Sequence, residues 1–113
     1  MMLGLIHYRA PGNTTEEFLR WAAGAGFECV ELRHTDLEPE GVEDAVANTK
    51  AIKALLDELG IVASAVSLGN DFVLLDDAAI AAQVERTRRL AELMLLLDCD
   101  TFRTEGGTRK EAV

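Results

Sequence analysis

Four charged side chains fall where an apolar run belongs. In Cys29-Val30-Glu31-Leu32-Arg33, valine and leucine alternate with Glu31 and Arg33; in Thr101-Phe102-Arg103-Thr104-Glu105, Arg103 and Glu105 alternate with Phe102. Side chains alternate across a strand with a period of two. If Val30, Leu32 and Phe102 pack under helices, then Glu31, Arg33, Arg103 and Glu105 emerge on the other face. Charges on a covered face are costly unless they are paired, bound to a metal or used by a ligand. Two readings stay open: an internal ion pair between Glu31 and Arg103 or Arg33, or polar contacts to a substrate. The first is compatible with a site nearby.

Other groups fall at strand ends. His7, followed by Tyr8, closes the first strand, where an imidazole can carry a proton or donate to a substrate. It can equally be a hydrogen-bonded strand end. Asn70, in Ser67-Leu68-Gly69-Asn70-Asp71, offers an amide after the third strand, or a plain turn former. His34 reads as an exposed loop histidine. Gly106-Gly107 allows close approach of a substrate to the backbone, or simply a turn. There is no glycine-rich phosphate fingerprint, no zinc-ligand spacing and no serine nucleophile elbow.

These residues are positioned by a repeated strand–helix unit. One strand opens the chain at Leu3-Gly4-Leu5-Ile6-His7-Tyr8. Three more follow helix-patterned stretches, at Phe27 to Leu32, Ile61 to Ser67 and Asp100 to Glu105. The order βαβαβαβ implies an α/β fold with parallel pairing and right-handed crossovers. Thr14 and Glu17 have capping-box spacing for the first helix, with Phe18, Trp21 or Ala22, and Ala25 as its buried stripe and Gly26 as its stop. Val42, Ala45, Val46, Thr49, Ile52, Leu56 and Leu59 trace the second, closed by Gly60. Ile80, Val84, Thr87, Ala91, Met94 and Leu95 trace the third, whose apolar end from Leu93 to Leu97 should be deeply buried. Two long loops, His34 to Glu40 and Leu68 to Leu75, follow carboxyl ends of strands, where parallel α/β folds place function. Thr108 and Glu111 again have capping-box spacing, so the chain reads as the first half of something larger.

The 113 residues fit one domain, 1–113, and 49% are hydrophobic. Twenty acidic against eleven basic residues give a net charge of −9. That argues against a basic nucleic-acid groove and against an anionic membrane surface. No apolar run approaches the ~20 residues of a membrane span, and the start lacks the pattern of a signal peptide. Cys29 and Cys99 read as small buried hydrophobes rather than a disulfide. The expected location is the cytoplasm.

The succession of Gly26-Phe27-Glu28-Cys29-Val30-Glu31-Leu32, Leu59-Gly60-Ile61 with Ser64-Ala65-Val66-Ser67, and the alanine- and arginine-rich stretch from Gln83 to Leu97 leading into Thr101 to Gly107 resembles the sugar phosphate isomerase/epimerase superfamily. These are xylose-isomerase-like TIM barrels. The resemblance covers essentially the whole chain but only the family's first four strand–helix units, so it implies half of a TIM (β/α)8 barrel. It implies a divalent metal (Mg, Mn or Zn) in the complete barrel, and proton transfer between carbons of a small sugar or hydroxy-carbonyl substrate. In that family the metal carboxylates and histidine come from strands five to eight, so none falls in this chain. What carries over is substrate-side: Glu31, Asn70, Arg103 and Glu105, to which the residues themselves add His7 and Arg33. No catalytic residue is assigned, and the isolated chain is expected to be inactive. A half-barrel leaves two strand edges and lumen residues such as Leu3, Leu5, Val62 and Val66, or their opposite faces, uncovered. A homodimer or a complementary half-barrel chain is therefore the expected partner, beside a small sugar or hydroxy acid. The alternative is a non-catalytic α/β module binding a small ligand at the carboxyl edge of an open sheet. An endonuclease branch shares the superfamily's barrel, and the acidic charge tells against it.

Overall fold

The computed structural model describes residues 1–109. Four parallel strands, β1 (Gly4–Ile6), β2 (Cys29–Arg33), β3 (Val62–Ser67) and β4 (Phe102–Arg103), form one sheet in sequence order β1-β2-β3-β4. The connecting helices are α1 (Thr15–Gly24), the single turn α2 (His34–Leu37), α3 (Ala45–Leu59) and α4 (Asp77–Leu95). Right-handed crossovers between sequential neighbours put the helices on one face of the sheet. The core lies between the layers, around Phe18, Leu19, Val30, Leu32, Leu56, Val66, Leu90 and Met94.

The helix ends follow from local chemistry. Glu17 donates its backbone N–H to Thr14 Oγ1 (3.1 Å) and returns Oε2 to the Thr14 N–H (3.3 Å), the expected capping box. Asp44 accepts from the Ala47 N–H and Asp76 from those of Ala78 and Ala79. Gly60, at φ 70°, closes α3 in the left-handed conformation that favours glycine. Glu111, and with it the capping box expected at Thr108, lies outside the described residues.

Several expectations need correction. The stretch from His34 to Glu40 is not all loop, because Asp36 reaches back to the Arg33 N–H (2.8 Å) and folds α2. On α3 the stripe keeps Ala45, Thr49, Ile52, Leu56 and Leu59 but not the two valines: Asp44 caps the helix after Val42, and Val42 and Val46 are exposed. On α4 two stripes compete. Leu90, Leu93, Met94 and, just past the helix, Leu97 bury more area than Val84 and Leu95, which stay exposed. Phe102 shares the face of its register partner Val66 yet is 41% exposed, since no described helix follows β4 to cover it.

A bulge settles which side chains share the open face. Val30 pairs with Ala63 and Glu31 with Ala65, leaving Ser64 extra, its hydroxyl bonded to the Val30 carbonyl (3.2 Å). The extra residue inverts the two-residue period, so Val62 is exposed while Val66, four positions on, is buried. Leu5 pairs with Val30 and packs on the helix side. The open face therefore carries Ile6, Glu31, Arg33, Ala65, Ser67 and Arg103. It does not carry Leu5 and Val66.

Candidate functional site

At the carboxyl ends of the strands the open face leads into a pocket of about 320 Å³, lined by Ile6, Tyr8, Arg33, His34, Ser67, Gly69, Arg103 and Glu105. Arg103 organises one side. Its Nε donates to Glu31 Oε1 (3.4 Å), Nη1 to Glu105 Oε1 (3.2 Å) and Nη2 to Ser67 Oγ (3.1 Å). β2 and β4 bring this set together because both pair with β3, and Arg103 sits in register with Ser67, which is in register with Arg33. The ion pair foreseen between Glu31 and Arg103 thus forms, inside the wall of a pocket. Arg33 forms no ion pair among the described residues; its guanidinium carbon lies 5.7 Å from the centre of the Tyr8 ring.

Asn70 is nearly fully buried and both ends of its amide are engaged. Nδ2 donates to the Glu105 carbonyl (2.8 Å), and Thr104 Oγ1 donates to Oδ1 (2.5 Å). It ties the loop after β3 to the segment after β4 and so positions Glu105. His7 goes elsewhere. Successive residues point to opposite faces, so with Ile6 on the open side His7 turns towards the helices and Tyr8 towards the pocket. The imidazole stacks on Phe18 (centroids 4.1 Å, 4° between planes) and its Nδ1 meets Asp36 Oδ1 at 2.7 Å.

Asp36 holds this corner. It is 4% exposed and also accepts from Thr15 Oγ1 (2.6 Å) and the Arg33 N–H (2.8 Å). Asn48 Nδ2 braces the same turn through the carbonyls of Asp36 and Leu37. Two residues before Asp36, His34 lies against Gly69: a β-carbon on Gly69 would stand 2.8 Å from His34 Nε2, and Gly69 has φ +61°. Burial holds the His34 imidazole below its ordinary value near 6.5, helped by the charges of Arg86 and Arg33. At neutral pH it is an uncharged donor–acceptor in the pocket wall.

A larger groove, about 820 Å³, runs between α1 and α3, with His7 and Asp36 at one end. Leu19, Ala51, Ile52, Ala54 and Leu55 make much of its wall, and Arg20 and Glu58 in it neutralise each other. The smaller pocket holds the denser set of groups able to bind a polar ligand. Among the described residues no three histidine, cysteine or acidic side chains converge as a metal site. The pocket's carboxylate, Glu105, and Glu31 behind it are both held by Arg103, so these residues do not fit a metal.

Tyr8, His34, Ser67 and Asp36 were not foreseen. Strand alternation was a usable signal for Tyr8, since His7 and Tyr8 cannot share a face. Asp36 three residues after Arg33 was a signal for a side chain returning to the backbone. Ser67 and His34 depend on register and on a contact between loops.

No family model matches the sequence, and no curated protein matches it. Solved structures do match. E. coli 3-keto-D-glucoside 4-epimerase, in its apo form, aligns with a TM-score of 0.72 at 17% identity, over 90% of this chain and 36% of that one. A xylose isomerase domain protein from Alicyclobacillus acidocaldarius aligns at 0.72 and 18%, over 90% and 35%. An AP endonuclease of family 2 from Brucella melitensis aligns at 0.63 and 18%, over 95% and 42%. The fold is therefore part of a TIM barrel, as in these structures. The chain spans well under half the length of each of these structures. A fold shared by epimerases and an endonuclease does not by itself select a chemistry.

Proposed function

We propose that this chain is the first half of a sugar isomerase or epimerase-type barrel and supplies its substrate-side wall. The observation that carries the reading is the Arg103 network, with Glu31, Ser67 and Glu105, set at the carboxyl edge of a parallel sheet beside an open pocket. Arg103, oriented by three partners, donates to carbonyl or hydroxyl oxygens of a small sugar or hydroxy acid. Ser67 and Tyr8 add hydroxyls, and Asn70 fixes Glu105. His7 acts through Asp36, which holds the turn presenting Arg33 and His34. A divalent metal in the complete barrel would supply Lewis-acid stabilisation of an enediolate; the described residues of this chain do not ligate it. The isolated chain binds but does not turn over.

The outer edges of β1 and β4 pair with a second copy or with a complementary half-barrel chain, and the protein works in the cytoplasm. The net charge of −9 favours a small molecule over nucleic acid.

Calorimetric titration of the chain with D-fructose tests the reading through Arg103→Met and Glu31→Gln. Arg103 is half exposed, and such an ion pair contributes at most about 1 kcal/mol to stability. Both variants should therefore weaken binding at least about tenfold while moving Tm by less than about 8 °C. Loss of stability with unchanged binding would reduce the network to an internal ion pair. Retained binding by a folded monomer, with no barrel completed, would favour the non-catalytic open module.

A further inference from the structure

The groove between α1 and α3 takes no part in the sugar reading. At about 820 Å³ it has the volume of a small-molecule site, and it lies in the helix layer, away from the open face of the sheet. Its middle is aliphatic, with Leu19, Ile52 and Leu55 beside Ala51 and Ala54. One end is polar, and the hydrogen bonds there decide what it can hold. The Asp36 carboxylate accepts from Thr15 Oγ1 and from the Arg33 N–H, so His7 Nδ1 carries the hydrogen of their 2.7 Å contact. In the uncharged ring Nε2 is then a bare acceptor, and among the described residues nothing donates to it. Asn48 spends both amide hydrogens on the carbonyls of Asp36 and Leu37, which leaves its Oδ1 as a second acceptor.

The charges of the groove agree with this. Its lining holds the carboxylates of Glu16, Asp36 and Glu58 against a single guanidinium, that of Arg20, which Glu16 and Glu58 hold at 3.0 and 3.8 Å. The start of α1 would favour an anion through its dipole, but Glu17 already serves it, accepting from the N–H groups of Asn13 and Thr14. We propose that the groove binds a primary aliphatic amine as its ammonium ion. The head donates to His7 Nε2 and Asn48 Oδ1 beside the Asp36 carboxylate, and the alkyl chain lies along Leu19, Ile52 and Leu55. This site is separate from the carboxyl-edge pocket and does not depend on what that pocket binds.

The test is calorimetric titration of the full chain with hexylamine, hexan-1-ol, hexanoate and methylamine, at mildly alkaline pH and constant ionic strength. Hexylamine should bind about tenfold or more tightly than methylamine, which lacks the chain, and than hexanoate, which carries the opposite charge. Ala51→Leu, at an exposed helical position that leucine suits, should weaken hexylamine about tenfold by filling the groove. Glu43→Gln, at an exposed carboxylate outside the groove, should leave the affinity unchanged. In the unaltered chain the ¹⁵N resonance of His7 Nε2 should move on adding hexylamine while those of His34 stay. Hexan-1-ol or hexanoate binding as tightly as hexylamine would overturn the amine assignment. Equal affinity for methylamine, or Glu43→Gln weakening hexylamine as much as Ala51→Leu, would overturn the site and reduce the effect to attraction by the net charge of −9. An unmoved His7 resonance, or no binding of hexylamine, would overturn the proposal outright.

Discussion

Replacing Asp36 with alanine removes the acceptor for three donors at once: His7 Nδ1, Thr15 Oγ1 and the Arg33 N–H, at 2.7, 2.6 and 2.8 Å. A buried donor left unsatisfied costs about 1–3 kcal/mol. The Arg33 N–H belongs to the backbone and has no rotamer with which to escape. His7 and Thr15 border the groove between α1 and α3, so water can partly replace the carboxylate for them. One full penalty and two partial ones amount to about 3 kcal/mol. In a domain of this size that lowers Tm by roughly 12–24 °C. Asp36→Asn keeps one acceptor oxygen and should lose about half as much, and Thr15→Val, which removes a single donor, about 1 kcal/mol. Urea unfolding followed by circular dichroism at pH 7 measures all three. A loss below about 1 kcal/mol for Asp36→Ala would refute the idea that this carboxylate pins the turn from β2 into α2. Arg33 and His34 would then need another support.

Gly69→Ala should destabilise by about 2 kcal/mol, combining a left-handed backbone with a clash on the His34 ring; His34→Ala in the same chain should recover the clash part, and strict additivity of the two would contradict the contact. The lowered His34 value makes the unfolded chain the stronger proton binder between the folded value and about 6.5. That contribution to stability is complete above pH 6.5, declines as pH falls below 6.5 and is lost as pH passes through the lower folded value. His34→Gln should flatten this part of the stability–pH curve, and Arg86→Met should raise the imidazole's NMR titration midpoint; an unmoved midpoint would remove Arg86 from the pocket's field. Native mass spectrometry should find the chain as a dimer or in complex with a second chain, because both outer sheet edges are unpaired among the described residues. A well-folded, monodisperse monomer would argue for the open module.

The βαβαβαβ order was legible because glycine stops, capping boxes and apolar strands are local signals. Gly60, Thr14 with Glu17, and Val30 with Leu32 each act within a few residues. The charged face was legible for the same reason in β2 and β4. What escaped depends on longer range. The Ser64 bulge inverts the face of Val66 relative to Val62, and no period in β3 announces it. The α4 stripe was ambiguous because Val84 and Leu95 repeat at the same spacing as Leu90, Met94 and Leu97. Which one is buried depends on how the helix is rotated against α2 and α3. His7 was assigned to the site on its chemistry, while the alternation that gives the open face to Tyr8 went unused. Asp36 was missed because its partners come from three separate segments.

The most direct test is to map binding residue by residue, by titrating the ¹⁵N-labelled chain with D-fructose and with glucose 6-phosphate. Amide shifts should concentrate at Tyr8, Arg33, His34, Ser67, Gly69 and Arg103, around the carboxyl-edge pocket. Shifts centred instead on Thr15, Ala51 and Leu55, in the groove between α1 and α3, or no shifts with either ligand, would contradict the account.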